Sequence, residues 1–370
     1  MTTDDTTEPA VGGAGYSVAR YLAIDEVRDP SIASDGQLLF RADTSGTPQV
    51  WTVDEPGGWP RRLTPHEERI STVAASPTAP VVVFGMDTGS DERDQLYASD
   101  LDTGVERALT DTPTAKHVWG AWGPDGEEIF FTANRTDRGR FDVYALDVTE
   151  PDAEPQLVCE GPGGWFHVDA AGPEGNRLAV VDPHASFDAT LSILDRDSGE
   201  TQSFGSEGSA TYEFPVFDGA AGLYCVTNDG RDTAYLGRFD LDTGELIPVA
   251  GDDGDHSGAP GTDAWDVDGF AFDRDTGRAA FTRNVGGYSE LTVGTLDGTT
   301  FVPTATLDPE GIVEDLTLGP NGDRLAVTHT APDQPYNVRV YDLDEVTDGV
   351  DATPSTSDTA TGDTDTATGD

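Results

Sequence analysis

Apolar and polar positions along the chain repeat in a fixed order. A run of strand-like residues follows a small turn, and the same arrangement returns seven times. Aligned on the first run, the copies read QLLFRAD from Gln37, VVVFGMD from Val81, EIFFTAN from Glu128 and RLAVVDP from Arg177. GLYCVTN from Gly222, RAAFTRN from Arg278 and RLAVTHT from Arg324 complete the set. The starts lie 44, 47, 49, 45, 56 and 46 residues apart. A second run follows each first one after 11 to 13 residues, as in PQVWTVD from Pro48, FDVYALD from Phe141 and YNVRVYD from Tyr336. A constant inner offset within a variable outer period is what hairpins give, because the turn is fixed and the links between units are free.

Each unit has two further pieces. A short apolar run precedes the turn, as in VWGAWGPDG and VEDLTLGPNG, and a run such as RALT or IPVA follows a second turn such as LDTGE. Period-2 alternation, β-branched and aromatic residues, and Gly/Asp turns all specify strands. No helical periodicity competes over a long window. Four antiparallel strands in about 45 residues is the size of a propeller blade. One blade cannot bury both of its faces, so the repeats predict an all-β, seven-bladed β-propeller stacked around an axis. The predicted propeller spans 16–343. Residues 1–15 read as a disordered N-terminus, and 344–370, rich in Thr, Asp and Gly, as a disordered acidic tail. The long interval holds an inserted polar segment at 251–264, and the fourth strand of the seventh blade is not evident.

Charge narrows the function classes. Asp and Glu number 70 against 21 Lys and Arg, a formal net charge of −49, and Lys116 is the sole lysine. Such a surface repels nucleic acid and anionic membranes, so neither is an expected partner. It suits a salty, cytoplasmic setting, where screening relieves self-repulsion. The N-terminus lacks the basic and apolar parts of a signal peptide, and no apolar stretch reaches the length of a membrane span. Cys159 and Cys225 sit in apolar runs at no metal-like spacing and imply no disulfide framework.

Few residues offer chemistry. The nucleophile-elbow pattern G-x-S-x-G is absent. The nearest matches, GYSVA with Ser17 and GYSEL with Ser289, lack the second glycine and read as structural. His66, His117, His167, His184, His256 and His329 show no zinc-ligand spacing. Segments from Asp195, Asp252 and Asp273 mimic calcium loops but lack the ligand pattern and flanking helices. Trp51, Trp119, Trp122, Trp165 and Trp265 read as packing between blades, and Arg61, Arg62 and Arg69 form a local basic spot of open purpose. The expectation is therefore no catalytic, metal or cofactor site in this chain.

GPDGEEIFFTAN followed later by RALT resembles the blade of TolB-like, WD40-like propellers. A narrower likeness rests on YSVARYLAI, GTPQVWTVDEPGGWPRRLT, EERISTVAASP, FGMDTGSDERDQLY, KHVWGAWGPDG and WDVDGFAFDRDTGRAAFTRNVGGYSEL. Over about residues 16–343 these are similar to the N-terminal propeller of the prolyl oligopeptidase family, in its haloarchaeal, acylaminoacyl-peptidase-like branch. That resemblance implies a serine-peptidase hydrolase domain after the propeller, with the propeller covering the active site and sorting substrates by size. Here the sequence ends where that hydrolase would begin. The expected role is thus a non-catalytic gating or scaffold module, with peptides or a hydrolase supplied in trans as partners. Two alternatives are a free-standing peptide- or protein-binding propeller and a pore-metal lactonase or lyase.

The charge predicts that folding depends on salt. Folding free energies are only about 5–15 kcal/mol, while the Debye length grows from about 3 Å in molar salt to about 10 Å at 0.1 M. Circular dichroism across a potassium chloride titration should show the β signal and melting temperature falling as salt is removed. Values unchanged down to about 0.05 M, where screening is weak, would contradict this.

Overall fold

The computed structural model describes residues 24–55, 57–206, 208–251, 265–346 and 355–356. Within them the chain forms seven four-stranded antiparallel sheets, each of four consecutive strands, and no helix. The innermost strands are Val27–Ile32, Ile70–Ala75, His117–Trp122, His167–Ala171, Tyr212–Phe217, Val267–Phe272 and Ile312–Leu318, in blades one to seven. Neighbouring innermost strands approach one another around a central channel, and blade one meets blade seven.

The repeated first run is the second strand of each blade, and it is buried on both faces. Its alternation does not separate core from solvent. It sends successive side chains to opposite neighbouring blades. In blade three, Ile129 and Phe131 pack toward blade two and Phe130 toward blade four. In blade five, Leu223 and Cys225 face blade four while Tyr224 and Val226 face blade six. The apolar core therefore consists of seven clusters, one per seam between blades. Burial at about 25 cal/mol per Å² of apolar surface makes these seams the main source of cohesion.

The glycine turns that announce each blade follow from backbone geometry. In GPDG, Gly123 donates to the Glu128 carbonyl at 2.7 Å and Gly126 to the Gly123 carbonyl at 3.0 Å. Gly126 takes a φ of +67°, and a Cβ there would meet Thr78 of the preceding blade at 2.2 Å. GPNG repeats the bonds at Gly319 and Gly322. Glycine is needed for both the left-handed conformation and the close approach.

Polar contacts between blades reuse one repeat position. The arginine opening the second strand donates to a turn carbonyl of the next blade. Arg177 reaches Ala220 at 2.9 Å, Arg278 reaches Gly322 at 3.2 Å and Arg324 reaches Gly36 at 3.3 Å. The last of these crosses from blade seven to blade one. There Val27, Ile32, Leu38, Phe40, Ala42 and Val53 also pack on Ala326, Val338 and Val340. Thr317 Oγ1 donates to the Pro30 carbonyl at 2.9 Å, and Arg28 pairs with Glu314 at 3.0 Å while lying 3.1 Å from the Tyr336 ring centroid.

The fourth strand of blade seven is Ser355–Thr356, paired with Arg339 and Val340. It comes from the segment that composition marks as a disordered tail. The expected disordered tail also begins too early: Val346 is buried in the seam between blades six and seven and Asp344 pairs with Arg278. Residues 347–354 and 357–370, the 252–264 part of the insertion, and YSVARYLAI up to Ala23 lie outside the described residues.

Candidate functional site

The central channel is the place where all seven blades can present side chains to one ligand. Its wall has a feature that recurs in every blade. Each innermost strand slips register against its neighbour at mid-length. The residues left out of the ladder are Asp29 and Pro30, Ser71, Gly120, Asp169, Phe214 and Pro215, Asp268, and Asp315 and Leu316. Such bulges bend a strand and re-aim its side chains. In blades one, five and seven the bulge opens on a left-handed residue, Asp29 at φ 54°, Phe214 at 51° and Asp315 at 49°. Aspartate tolerates that region. Phenylalanine does not, and Phe214 is held there at a cost of about 1–2 kcal/mol with its ring 43% exposed.

Four of the seven bulges thus carry a carboxylate. Asp29 is paired with Arg41 and Asp169 accepts from His167 at 2.8 Å. Asp268 and Asp315 are exposed, yet protein crowds each closely enough to cost its carboxylate solvation. Desolvation raises the affinity of both for a proton, and Asp29 adds repulsion at Asp315. Burial pulls His167 down, but the bond to Asp169 and the charges of Asp169 and Asp182 outweigh it, so this imidazole holds its proton more tightly than usual.

The two ends of the channel differ. At one end the G-P-x-G-type turns surround a cavity of about 410 Å³, lined by Pro77, Trp122, Pro124, Pro215, Phe217 and Phe272 together with Asp169, Asp273, Arg274 and Asp275. At the other end the innermost strands begin, and the hairpins of the second and third strands fold over. Trp165, Phe187 and Tyr288 are exposed there at 45%, 75% and 49%.

The residues singled out from sequence do not assemble into a reaction centre. Ser289 is buried, and its Oγ accepts from the Val313 amide at 2.9 Å. Ser17 and His256 lie outside the described residues. His66 bonds Glu106 at 2.8 Å and His184 bonds Thr190 Oγ1 at 2.9 Å. Among the described residues no three of His, Cys, Asp and Glu converge as metal ligands would. Of the calcium-like segments, those from Asp195 and Asp273 are aspartate turns, and that from Asp252 lies outside the described residues. Asp195 accepts from the Ser198 amide at 2.9 Å and from its hydroxyl at 2.8 Å, and those bonds lower its proton affinity. Asp100 and Asp240 do the same with Thr103 and Thr243. Trp119 and Trp122 pack edge to face at 5.6 Å in the seam between blades two and three, and Trp51 packs at the seam between seven and one. Arg61, Arg62 and Arg69 are exposed on blade one and its link to blade two. Cys225 is wholly buried and its thiol is pushed up by desolvation. No helix of the described residues is long and apolar enough to cross a membrane.

No family profile matches the sequence. Pentonolactonase XacC of Haloferax volcanii is 29% identical over 177 residues, which are 46% of this chain and 57% of that protein. Among solved structures, a prolyl endopeptidase superposes with a TM-score of 0.68 at 15% identity, over 90% of this chain and 49% of its own. A puromycin hydrolase gives 0.65 at 16% identity over 86% and 52%. An oligogalacturonate lyase in complex with manganese gives 0.64 at 16% identity over 86% and 90%. The chain thus spans about half the length of the two peptidase-type structures. It has the architecture of their propeller portion, and at these identities the likeness establishes the fold.

Two buried histidines set a pH dependence. His117 Nδ1 lies 2.9 Å from the Asp94 carbonyl, and its Nε2 has no partner among the described residues. His329 Nε2 lies 3.0 Å from the Pro309 carbonyl, and its Nδ1 has no partner among the described residues. Burial first, then the nearby charges of Arg135 and Arg339, push them down to about 4. A histidine kept neutral in the fold charges freely when unfolded, so stability is full above the ordinary 6.5 and is lost as pH falls toward 4. Asp268 and Asp315, whose folded affinities for protons are raised, act in the opposite sense. Melting temperature in fixed high salt should fall across that window, with a shallower fall in the His117→Gln/His329→Gln variant. Equal slopes in variant and parent would contradict the assignment.

Proposed function

We propose that the chain is a non-catalytic propeller module that admits and sorts extended substrates, peptides above all, for a hydrolase lying beyond these residues or on a separate chain. The observation that carries this reading is the channel itself. Seven bulged innermost strands surround the axis, with carboxylates at four bulges and an exposed Phe214 at a fifth, and the turns at one end enclose a cavity of mixed lining, prolines and aromatics beside Asp169, Asp273, Arg274 and Asp275. A passage of that kind excludes folded proteins and lets an extended chain pass. The architectural likeness to the propeller portion of a prolyl endopeptidase and a puromycin hydrolase supports the same reading.

A pore-centred lactonase or lyase is the second reading. It draws on the partial likeness to the pentonolactonase and on the lyase solved with manganese, which this fold matches over 90% of its length. The residues present do not fit a metal centre. The bulge carboxylates stand on different blades, two of them already engaged by Arg41 and His167, and no imidazole trio faces them among the described residues.

The purified chain in high salt should take no label from a fluorophosphonate probe and should hydrolyse neither acyl-aminoacyl chromogenic substrates nor pentonolactones, with or without added manganese. Combined with its hydrolase, it should suppress turnover of long polypeptides while sparing short peptides. Phe214→Gly should relax that discrimination. A stoichiometric serine label, metal-dependent turnover by the chain alone, or identical size selection in the Phe214→Gly variant would each overturn the reading.

A further inference from the structure

Lys116 is the only ammonium side chain in a sequence that uses arginine at every other basic position, against 70 carboxylates. Arg28, Arg41, Arg93, Arg140, Arg196 and Arg238 are among the arginines in ion pairs. Lys116 makes no ion pair among the described residues. Its Nζ instead lies 5.3 Å from the centroid of the Trp165 ring. The carboxylates of the surrounding elements are already engaged. Arg140 holds Asp142 at 2.6 Å and Glu160 at 3.2 Å, and His167 holds Asp169 at 2.8 Å.

The pair is built rather than incidental. Lys116 immediately precedes the innermost strand of blade three, and Trp165 stands two residues before that of blade four, at the hairpin end of the channel. The Lys116 amide donates to Asn134 Oδ1 at 2.7 Å, and its carbonyl accepts from the Asn134 amide at 3.3 Å. Trp165 packs on Phe141 at 4.7 Å, and the Gly164 amide before it donates to the Gly139 carbonyl at 2.8 Å. Both backbones are fixed, the indole stays 45% exposed, and the ammonium keeps donors that the ring does not use.

We propose that Lys116 and Trp165 form a subsite at the channel mouth for a single carboxylate flanked by apolar or ring surface, such as the terminal carboxylate of a peptide. The ammonium gains a charge-assisted hydrogen bond, and the indole covers the adjoining apolar group. The net charge of −49 sets the selectivity. The field of the whole chain repels polyanions, so the subsite takes ligands whose one negative charge comes with apolar surface. This rests on the channel being the path of the ligand, as proposed above, but its readout is at Lys116 and independent of hydrolase turnover, so either proposal can fail alone.

The lone lysine makes the test direct. Reductive methylation with ¹³C-formaldehyde keeps the charge and labels only Lys116 and the α-amine. In high-salt buffer the Lys116 methyl resonance should sit upfield, within the Trp165 ring current, and lose that shift in Trp165→Ala. Titration with N-acetylphenylalanine should move it saturably, and N-acetylphenylalanine amide should leave it in place. Equal responses to acid and amide, no response to either, or an unaltered titration in Trp165→Ala would overturn the proposal. The comparison of acid with amide needs no variant, so a misfolded Trp165→Ala protein leaves it decisive.

Discussion

A ring of blades must close, and among the described residues the closure depends on side-chain contacts. Each sheet there takes its four strands from consecutive chain, with no strand exchanged between the first blade and the last among the described residues. The seam between blades seven and one is held by an apolar cluster, as every seam is, and by an arginine reaching a turn carbonyl of the next blade, as two others are. Arg28 adds an ion pair and a stacked tyrosine. Exposed ion pairs contribute little singly, so the apolar cluster must carry most of the cohesion while a highly acidic surface pushes the blades apart. The channel and everything it presents exist only while that seam holds.

The ring was legible in the sequence because its cause is local. A strand buried on both faces, a fixed hairpin offset and a glycine forced to positive φ each leave a mark that repeats with the blade. The opening arginine was visible in RLAVVDP, RAAFTRN and RLAVTHT, but its reach to the next blade was not, since the sequence does not say which carbonyl lies opposite. Ser355–Thr356 was hidden because a two-residue edge strand in a Thr/Asp-rich stretch has no periodicity to detect. The aspartate turns at Asp195 and Asp273 have a local cause too, since Asp-x-x-Thr/Ser-Gly specifies its own hydrogen bonds.

The channel wall was much less legible. The bulges depend on how each innermost strand pairs with its neighbour, and pairing register is written in no single strand. Asp29, Asp169, Asp268 and Asp315 look like any other acidic residues among 70, and only the ring brings them around one axis. Phe214 carried a faint signal in EFPV, where a proline follows an aromatic within an otherwise regular strand. Lys116 stood out by composition, yet its neighbour Trp165 lies on another blade. The ring joins these residues around one axis: four bulge carboxylates, one strained and exposed phenylalanine, and, where the turns meet, a cavity lined by prolines, aromatics and charged side chains.

If closure by side chains is the constraint on which the channel depends, the seam between blades seven and one is where the ring first gives way. Native-state hydrogen exchange followed by mass spectrometry, as potassium chloride is lowered below the unfolding threshold, reads this directly. The amides of Val27–Ile32 and Ile312–Leu318 should lose protection together, ahead of those in His167–Ala171 and Arg177–Ala185 of blade four. Protection lost uniformly around the ring, or first in blade four, would contradict the account.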